Sequence, residues 1–350
     1  MVRVVVDGKT IGQNNVFGSY DSNKEGTLTF WLPEHEKVSL DCSEEFIYIM
    51  NCPCLSREFE KYDFSILEDI DCKIFINDAF EGSSWLEDEV NNFTLYLKMC
   101  GIDPKRVTVI TQNYNYEDAN FPFKIVIWNL MESFARVRAK EWIDYNDDAK
   151  KFLCLNRTVP DEYNHKGEFM RKMEESNILD QFNYSLPNKP YDNVVWPTNI
   201  VQSYGQPYPG PGGLFWDFPE HKKESLLYIV TETFFDIDHL RDVSEKTWRP
   251  IALQMPFILV HQPFALRRLR DLGYRTFSNL PNNRGWDESY DEIEDPTKRM
   301  SAIVDLVLEL NSRTNFRVVI DSCREIVEHN FNTLKKRRPE REMLKAMNFD

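Results

Sequence analysis

Apolar residues recur along this chain with two different periods, and the order in which the periods alternate predicts the architecture. Residues 2–6 are rich in strand formers, 26–32 alternate apolar and polar, and 45–50 form a short apolar run. Lys73-Ile-Phe-Ile76 reads as a strand running into Asn77-Asp78-Ala79-Phe80-Glu81-Gly82. A helical period follows over 84–100, with Trp85, Leu86, Val90, Phe93, Leu95 and Leu97 on the apolar positions. Gly101 stops that helix and Pro104 lies just beyond. Residues 106–110 form the next strand, closing in Thr111-Gln112-Asn113. Strand, helix and strand make a βαβ unit, which requires parallel pairing.

The pattern turns polar and acidic over 144–148, and the same alternation then restarts. Lys151-Phe-Leu-Cys-Leu155 is a strand and 164–176 a helix. Residues 183–219 are rich in Pro, Gly, Asn and Tyr, and read as a long irregular loop. Strands are expected at 226–230 and 257–260, with a short one at Thr276-Phe277. Helices are expected at 245–253, 266–272 and 298–311, and a basic helical tail over 318–347. The fold class expected is α/β: two doubly wound, Rossmann-like domains facing each other across a cleft. Their spans are 1–148 on the acceptor side, 149–320 on the donor side, and a helical tail over 321–350 that packs back on the first domain. In such sheets ligands bind beyond the carboxyl ends of the strands, where strand order reverses.

Composition narrows the partners. The 350 residues carry a net charge of −15, a field that repels nucleic-acid backbones and anionic membranes unless a basic patch is segregated on one face. Lys335-Lys-Arg-Arg338 is a basic run within the helical tail, read as a solvated helix face in preference to a nucleic-acid contact. The seven cysteines are odd in number and scattered, which suits a reducing compartment. Cys52-Pro-Cys54 lacks a second ligand pair at metal-site spacing, so no metal is expected there. The opening residues read as a strand and not as a signal peptide, and no apolar run is long enough to span a bilayer. The expectation is a cytoplasmic protein with no membrane partner.

Polar groups crowd three strand ends. Asn156 and Arg157 follow the strand ending at Leu155, with His165, Lys166 and Arg171 beyond. Thr231, Glu232 and Thr233 follow the strand ending at Val230. Ser244-Glu-Lys-Thr-Trp-Arg-Pro250 then opens a helix, with Ser244 a good N-cap. A helix N-terminus flanked by Lys246 and an arginine is a cradle for a diphosphate. The alternative is a solvated helix face carrying Lys246 and Arg249, with Glu245 stabilised by the dipole.

The segment Tyr228-Ile-Val-Thr-Glu232, Val243-Ser-Glu-Lys-Thr-Trp-Arg-Pro-Ile-Ala252 and Pro256-Phe-Ile-Leu-Val260 resembles the donor-binding segment of fucosyltransferase-like glycosyltransferases. Phe152-Leu-Cys-Leu-Asn-Arg157 and Phe169-Met-Arg-Lys-Met173 look like the first strand and helix of the same domain. The resemblance covers about residues 151–312 and is most specific over Ser244 to Ile251. It implies a GT-B architecture that works without metal or bound cofactor, using a nucleotide diphosphate sugar as co-substrate. It implies that Lys246 contacts the phosphates, that Glu245 and Glu232 hold ribose or sugar, and that an arginine binds the β-phosphate. Arg157 is the first choice for that arginine, with Arg171, His165 and Lys166 as rivals. The spacing from Glu232 to Glu245 is slightly longer than in the family, and the first half carries no motif that matches.

The function expected is sugar transfer from a nucleotide diphosphate sugar to a hydroxyl of a glycan, a small molecule or a modified DNA base. The last acceptor is that of phage-type DNA glycosyltransferases. The rival from another class is a non-catalytic nucleotide- or glycan-binding protein of the same fold. Inverting transfer needs a carboxylate base across the cleft, and Glu81 or Asp78 is best placed, although ordinary turn chemistry also explains both. Asp236-Ile-Asp238 and Asp69-Ile-Asp71 have the DxD form of metal-assisted transferases, a weak signal among 57 acidic residues. Trp286 and the acidic residues after it read as a solvated loop. The common nucleophile-elbow, Walker and dinucleotide motifs are missing.

Overall fold

The computed structural model of the protein describes residues 3–6, 19–20, 27–31, 37–41, 46–50, 73–78, 87–116, 119–139, 144–156, 165–185, 223–236 and 243–347. Its first sheet is entirely parallel and contains β1 (Arg3–Val6), β5 (Phe46–Met50), β6 (Lys73–Asp78), β7 (Val107–Thr111) and β8 (Lys124–Ile127), side by side in that order. Between β1 and β5 the chain makes an antiparallel meander of β2 (Ser19–Tyr20), β3 (Thr27–Trp31) and β4 (Lys37–Asp41). Helix α1 (Glu87–Met99) connects β6 to β7, and α2 (Leu130–Arg138) follows β8.

The second sheet is also parallel. It holds β9 (Lys150–Leu155), β10 (Phe182–Ser185), β11 (Ser225–Thr231) and β12 (Phe257–Val260), in the order β10-β9-β11-β12. Strand order reverses between β9 and β11, so their carboxyl ends flank the crevice of this sheet. Every residue of β11 is buried, as a central strand covered on both faces demands. The connecting helices are α3 (His165–Glu175), α4 (Glu245–Ala252) and α5 (Ala265–Asp271). Then come α6 (Pro296–Ser312), α7 (Phe316–Ser322), α8 (Arg324–Lys336) and α9 (Pro339–Ala346).

The α/β class with two parallel sheets therefore stands. The first sheet runs in sequence order, and the reversal that creates a switch point lies in the second. Phe182–Ser185 is a strand pairing with Phe152–Leu155, where a loop was expected from 183 onward. Its two aromatic residues, Phe182 and Tyr184, fill the core beside β9 and outweigh the polar neighbours. Thr276-Phe277 is not a strand, because the Phe277 N–H donates to Glu288 Oε1 at 2.7 Å and makes no ladder bond. The tail divides into α7, α8 and α9, the last opening at Pro339, which is favoured at a first helical position.

One contiguous core joins the two sheets. Phe75, Ile110, Val126 and Trp128 from the first pack with the buried residues of β9, β11 and β12. Helix α2 is the connector, lying against α4, α8 and α9. Polar groups lock this contact. Arg136 Nη2 meets Glu340 Oε1 at 2.9 Å, and both side chains are at most 1% exposed. Ser133 donates to the other Glu340 oxygen at 3.0 Å. The buried Glu132 accepts from Tyr274 Oη at 2.7 Å and from Arg337 Nε at 2.6 Å.

Candidate nucleotide-sugar site

The carboxyl ends of β9 and β11 are tied directly across the switch point. Thr231 Oγ1 donates to Asn156 Oδ1 at 2.5 Å, and the Asn156 N–H donates to the Ser185 carbonyl at the end of β10 at 3.0 Å. One residue past β11, Glu232 turns its carboxylate onto α4. Oε1 accepts from the Thr247 N–H at 3.0 Å and from Thr247 Oγ1 at 2.6 Å. Oε2 accepts from Ser244 Oγ and, at 3.3 Å, from the Thr233 N–H. Four donors match the four or so lone-pair positions of a carboxylate. Glu232 thus closes the N-terminus of α4, where the resemblance had it gripping a sugar or ribose hydroxyl.

Ser244 is the N-cap of α4, and its Oγ accepts from the Lys246 N–H at 3.3 Å. Two of the helix's first N–H groups are therefore engaged by the chain itself. Trp248 fixes the helix below them: it is fully buried, donates to the Val243 carbonyl at 3.2 Å and meets Tyr274 edge to face. Pro250 brings no N–H to the ladder, and the helix ends two residues later.

The lysine of the motif lies along this cap. Lys246 Nζ donates to Thr233 Oγ1 at 2.9 Å, to Glu245 Oε1 at 3.0 Å and to Ser244 Oγ at 3.3 Å. The Lys246 and Glu245 side chains are only 23% and 16% exposed, so the motif is not a solvated face. Burial works against both charges. The pairing outweighs it, holding the Glu245 carboxyl below its ordinary range and the Lys246 ammonium above its own. Arg249 is buried and donates to Tyr228 Oη at 2.9 Å, inside the domain.

A second lysine converges on the same carboxylates from α3. Lys166 is 3% exposed; burial, joined by repulsion from Lys246, lowers its ammonium to about 8, against attraction from Glu232 and Glu245. Next to it, His165 Nε2 lies 2.9 Å from the Glu232 carbonyl, and its ring stacks on Phe235 at 5.2 Å. A carbonyl only accepts, so Nε2 carries the proton, and burial holds the imidazole neutral with its pKa lowered to about 3. Arg171 points elsewhere: it pairs with Glu175 one turn on, at 2.9 Å, on the outer face of α3. Among the rivals for the anion, the structure brings Lys166 to Lys246 and leaves Arg171 apart.

The far rim is held by a residue without any recognisable sequence motif. Arg299, 1% exposed, donates to the carbonyls of His261 at 3.0 Å, Ile293 at 2.6 Å and Glu294 at 2.8 Å, and to that of Phe235. Its guanidinium also lies 4.4 Å over the Phe235 ring. Trp286, expected in a solvated loop, is buried and stacks on Phe277 at 4.9 Å.

Asp78 ends β6, opposite Thr111 of β7. Glu81, Arg157, both cysteines of Cys52-Pro-Cys54 and Asp69-Ile-Asp71 lie outside the described residues, as do Ile237 and Asp238 of the other DxD. An open cavity of about 750 Å³ lies beside α5 and α8, lined by Arg270, Arg275, Asn279, Asp287 and Glu325 among others. It shares no residue with the lysine cluster. Its cations Arg270 and Arg275 pair with Glu288 and Glu325. Among the described residues no helix is long and apolar enough to cross a membrane.

No protein-family model and no curated protein matches the chain. Among solved structures, it is similar to the DNA-modifying enzyme β-glucosyltransferase, solved with and without its substrate uridine diphosphoglucose. The TM-score is 0.42 and the identity 10%, over 88% of this chain and 83% of that one. It is also similar to a chain of the GtfA/B complex, with a TM-score of 0.40 and 10% identity, over 94% of this chain and 63% of that one.

Proposed function

We propose that the chain is a glycosyltransferase of GT-B type, and that the turn from β11 into α4 holds the diphosphate of a nucleotide sugar. The observation that carries this reading is the convergence of two inward-facing lysines, Lys166 and Lys246, on one helix N-terminus at a switch point. Two ammonium groups held close together in a largely buried place repel each other, and Lys246 is among the causes that lower the proton affinity of Lys166. A doubly charged anion between the two lysines would offset their mutual repulsion and raise the affinity of Lys166 for its proton against the cost of its burial.

Each group then has a role. Lys246 and Lys166 receive the negative charge that develops as the bond from the anomeric carbon to the diphosphate breaks, which is the charge sink the reaction needs without a metal. Glu245, held ionised by Lys246, offers its second oxygen to a ribose or sugar hydroxyl. Glu232 positions Ser244 and Thr247 and touches no substrate in this scheme. Arg157 follows β9 directly and is the candidate for the β-phosphate. In an inverting transfer Glu81 or Asp78 takes the proton of the acceptor hydroxyl as its oxygen bonds to the anomeric carbon. The domain division at residue 148 belongs to the same proposal, as does the acceptor: a glycan, a small molecule or a hydroxylated DNA base.

The test is a thermal-shift panel of UDP-, GDP-, CMP- and dTDP-linked sugars, with and without divalent metal, on the native chain and on Lys246→Ala. Saturation at a hundredfold excess over Kd adds about 2.7 kcal/mol of stability. Stabilisation by one nucleotide diphosphate sugar, independent of metal and lost in the variant, is the expected result. No stabilisation by any donor overturns the assignment, and stabilisation without turnover on any acceptor marks a binding protein.

A further inference from the structure

The end of α8 and the outer face of α9 collect cations in a chain that is otherwise strongly acidic. Residues 335–345 contain Lys335, Lys336, Arg337, Arg338, Arg341 and Lys345 against only Glu340 and Glu342. Both carboxylates are taken by other arginines: Glu340 is buried on Arg136, and Glu342 pairs with Arg337 at 2.9 Å. Lys335, Lys336, Arg341 and Lys345 are exposed and have no carboxylate partner among the described residues. Arg338 Nη1 donates to the carbonyls of Lys335 and Arg337, and no carboxylate pairs with it among the described residues. Lys124, exposed on β8, adds a further cation by donating to the Ala346 carbonyl at 2.5 Å, at the far end of α9.

Helix stability does not account for this set. Lys335 and Lys336 sit in the last turn of α8, where cations complement the dipole. Arg338 and Arg341 occupy the N-cap and first turn of α9, where positive charge opposes it. Arg338, Arg341 and Lys345 follow at helical spacing along one side of α9. Meanwhile Ile326, Val327, Leu334, Met343 and Leu344 of the two helices are buried in the core, and Phe331 is half-buried. A helix that lies in a membrane surface needs an apolar face to insert, and this pair offers solvent only the half-buried Phe331 and the small Ala346.

We propose that the α8–α9 corner, through Lys335, Lys336, Arg338, Arg341 and Lys345, binds the phosphate backbone of a nucleic acid. The contacts would be sequence-independent and would position the chain against the strand, since charge alone reads no base. This surface lies apart from the lysine cluster at α4, and the inference does not depend on the donor reading.

The experiment measures fluorescence anisotropy of a short labelled DNA duplex of arbitrary sequence against the full chain, across a salt series. It compares the native protein with a variant carrying Lys335→Gln, Lys336→Gln, Arg341→Gln and Lys345→Gln. The duplex should bind with a steep salt dependence. Each phosphate contact removed should lower the slope by about 0.9, and the four together should weaken binding by at least about tenfold at low salt. All four positions are exposed, so the variant's melting temperature should stay near native, and a variant carrying Lys98→Gln, Lys105→Gln, Lys223→Gln and Lys298→Gln, also exposed, serves as a charge-matched control. Lys246→Ala should bind the duplex like the native chain, which separates this proposal from the donor site. Equal binding by the quadruple variant, an equal loss in the control, or no binding at low salt overturns the proposal. Binding to phosphatidylserine vesicles with none to the duplex would assign the face to a membrane instead.

Discussion

Glu232 and Thr247 lie 15 positions apart and meet twice, the Thr247 N–H at 3.0 Å and its hydroxyl at 2.6 Å both donating to one carboxylate oxygen. A carboxylate at a strand end thereby caps the next helix of the same sheet, and the motif lysine is set by that cap. Glu232→Gln would keep the shape but replace one acceptor oxygen with a donor amide facing donors. A loss of about 1–3 kcal/mol in unfolding free energy is expected, the cost of an unsatisfied buried group. Chemical denaturation measures it, and an unchanged midpoint would refute the capping role.

Lys166 makes donor binding depend on pH. Its ammonium titrates near 8 in the free protein, so it is charged at pH 7 and mostly neutral at pH 9. A diphosphate needs the charged form, and apparent affinity falls with the fraction that remains competent. Titration calorimetry should therefore show about a tenfold weaker Kd at pH 9 than at pH 7. Lys166→Arg stays charged throughout and should flatten that profile; an equally steep profile in the variant would assign the dependence to another group.

His165 contributes acid lability. The folded protein holds it neutral down to about 3, whereas an unfolded histidine takes up a proton near 6.5. The sign follows from linkage: below about 6.5 the unfolded state binds more protons, so stability falls with pH until the folded pKa is reached. Each unit of acidification in that window costs up to about 1.4 kcal/mol from this one group. His165→Gln keeps a donor for the Glu232 carbonyl and should melt with a visibly smaller drop between pH 7 and 5. Parallel curves for the two proteins would count against the assignment.

Arg136 and Glu340 form an ion pair sealed between α2 and α9. Removing one partner leaves the other charge buried and unmatched, a loss of about 3–5 kcal/mol. Glu340→Ala should show it in a melting curve. The exposed pair Arg275–Glu325 is the control, because pairs in solvent contribute at most about 1 kcal/mol.

Gly285 is required by a close approach and not by its backbone angles. A Cβ placed there would lie 2.1 Å from the carbonyl oxygen of Ser278. Gly285→Ala should force that backbone apart and loosen the stacking of Trp286 on Phe277, read as a shift in tryptophan emission.

Much of the second sheet was legible because its strands are short apolar runs bounded by punctuation. Ser244 announced its capping role by type and position, and the structure places its hydroxyl on the Lys246 N–H. The capping contacts of Glu232 were not legible, since sequence shows a carboxylate at a strand end but not that four donors surround it. Lys166 was one of several cations after β9, and only the turn of α3 distinguishes it from Arg171, five positions on and facing solvent. Arg299 carried no signal at all, as it sits in an ordinary amphipathic helix and acts on carbonyls, which every residue has.

That guanidinium binds carbonyls from three separate stretches of chain, after β11, after β12 and before α6. Any independent excursion of one stretch would stretch or break one or two of these four hydrogen bonds. The three must then travel as one plate, and a ligand that enters the crevice has to be admitted by displacement of something other than this rim.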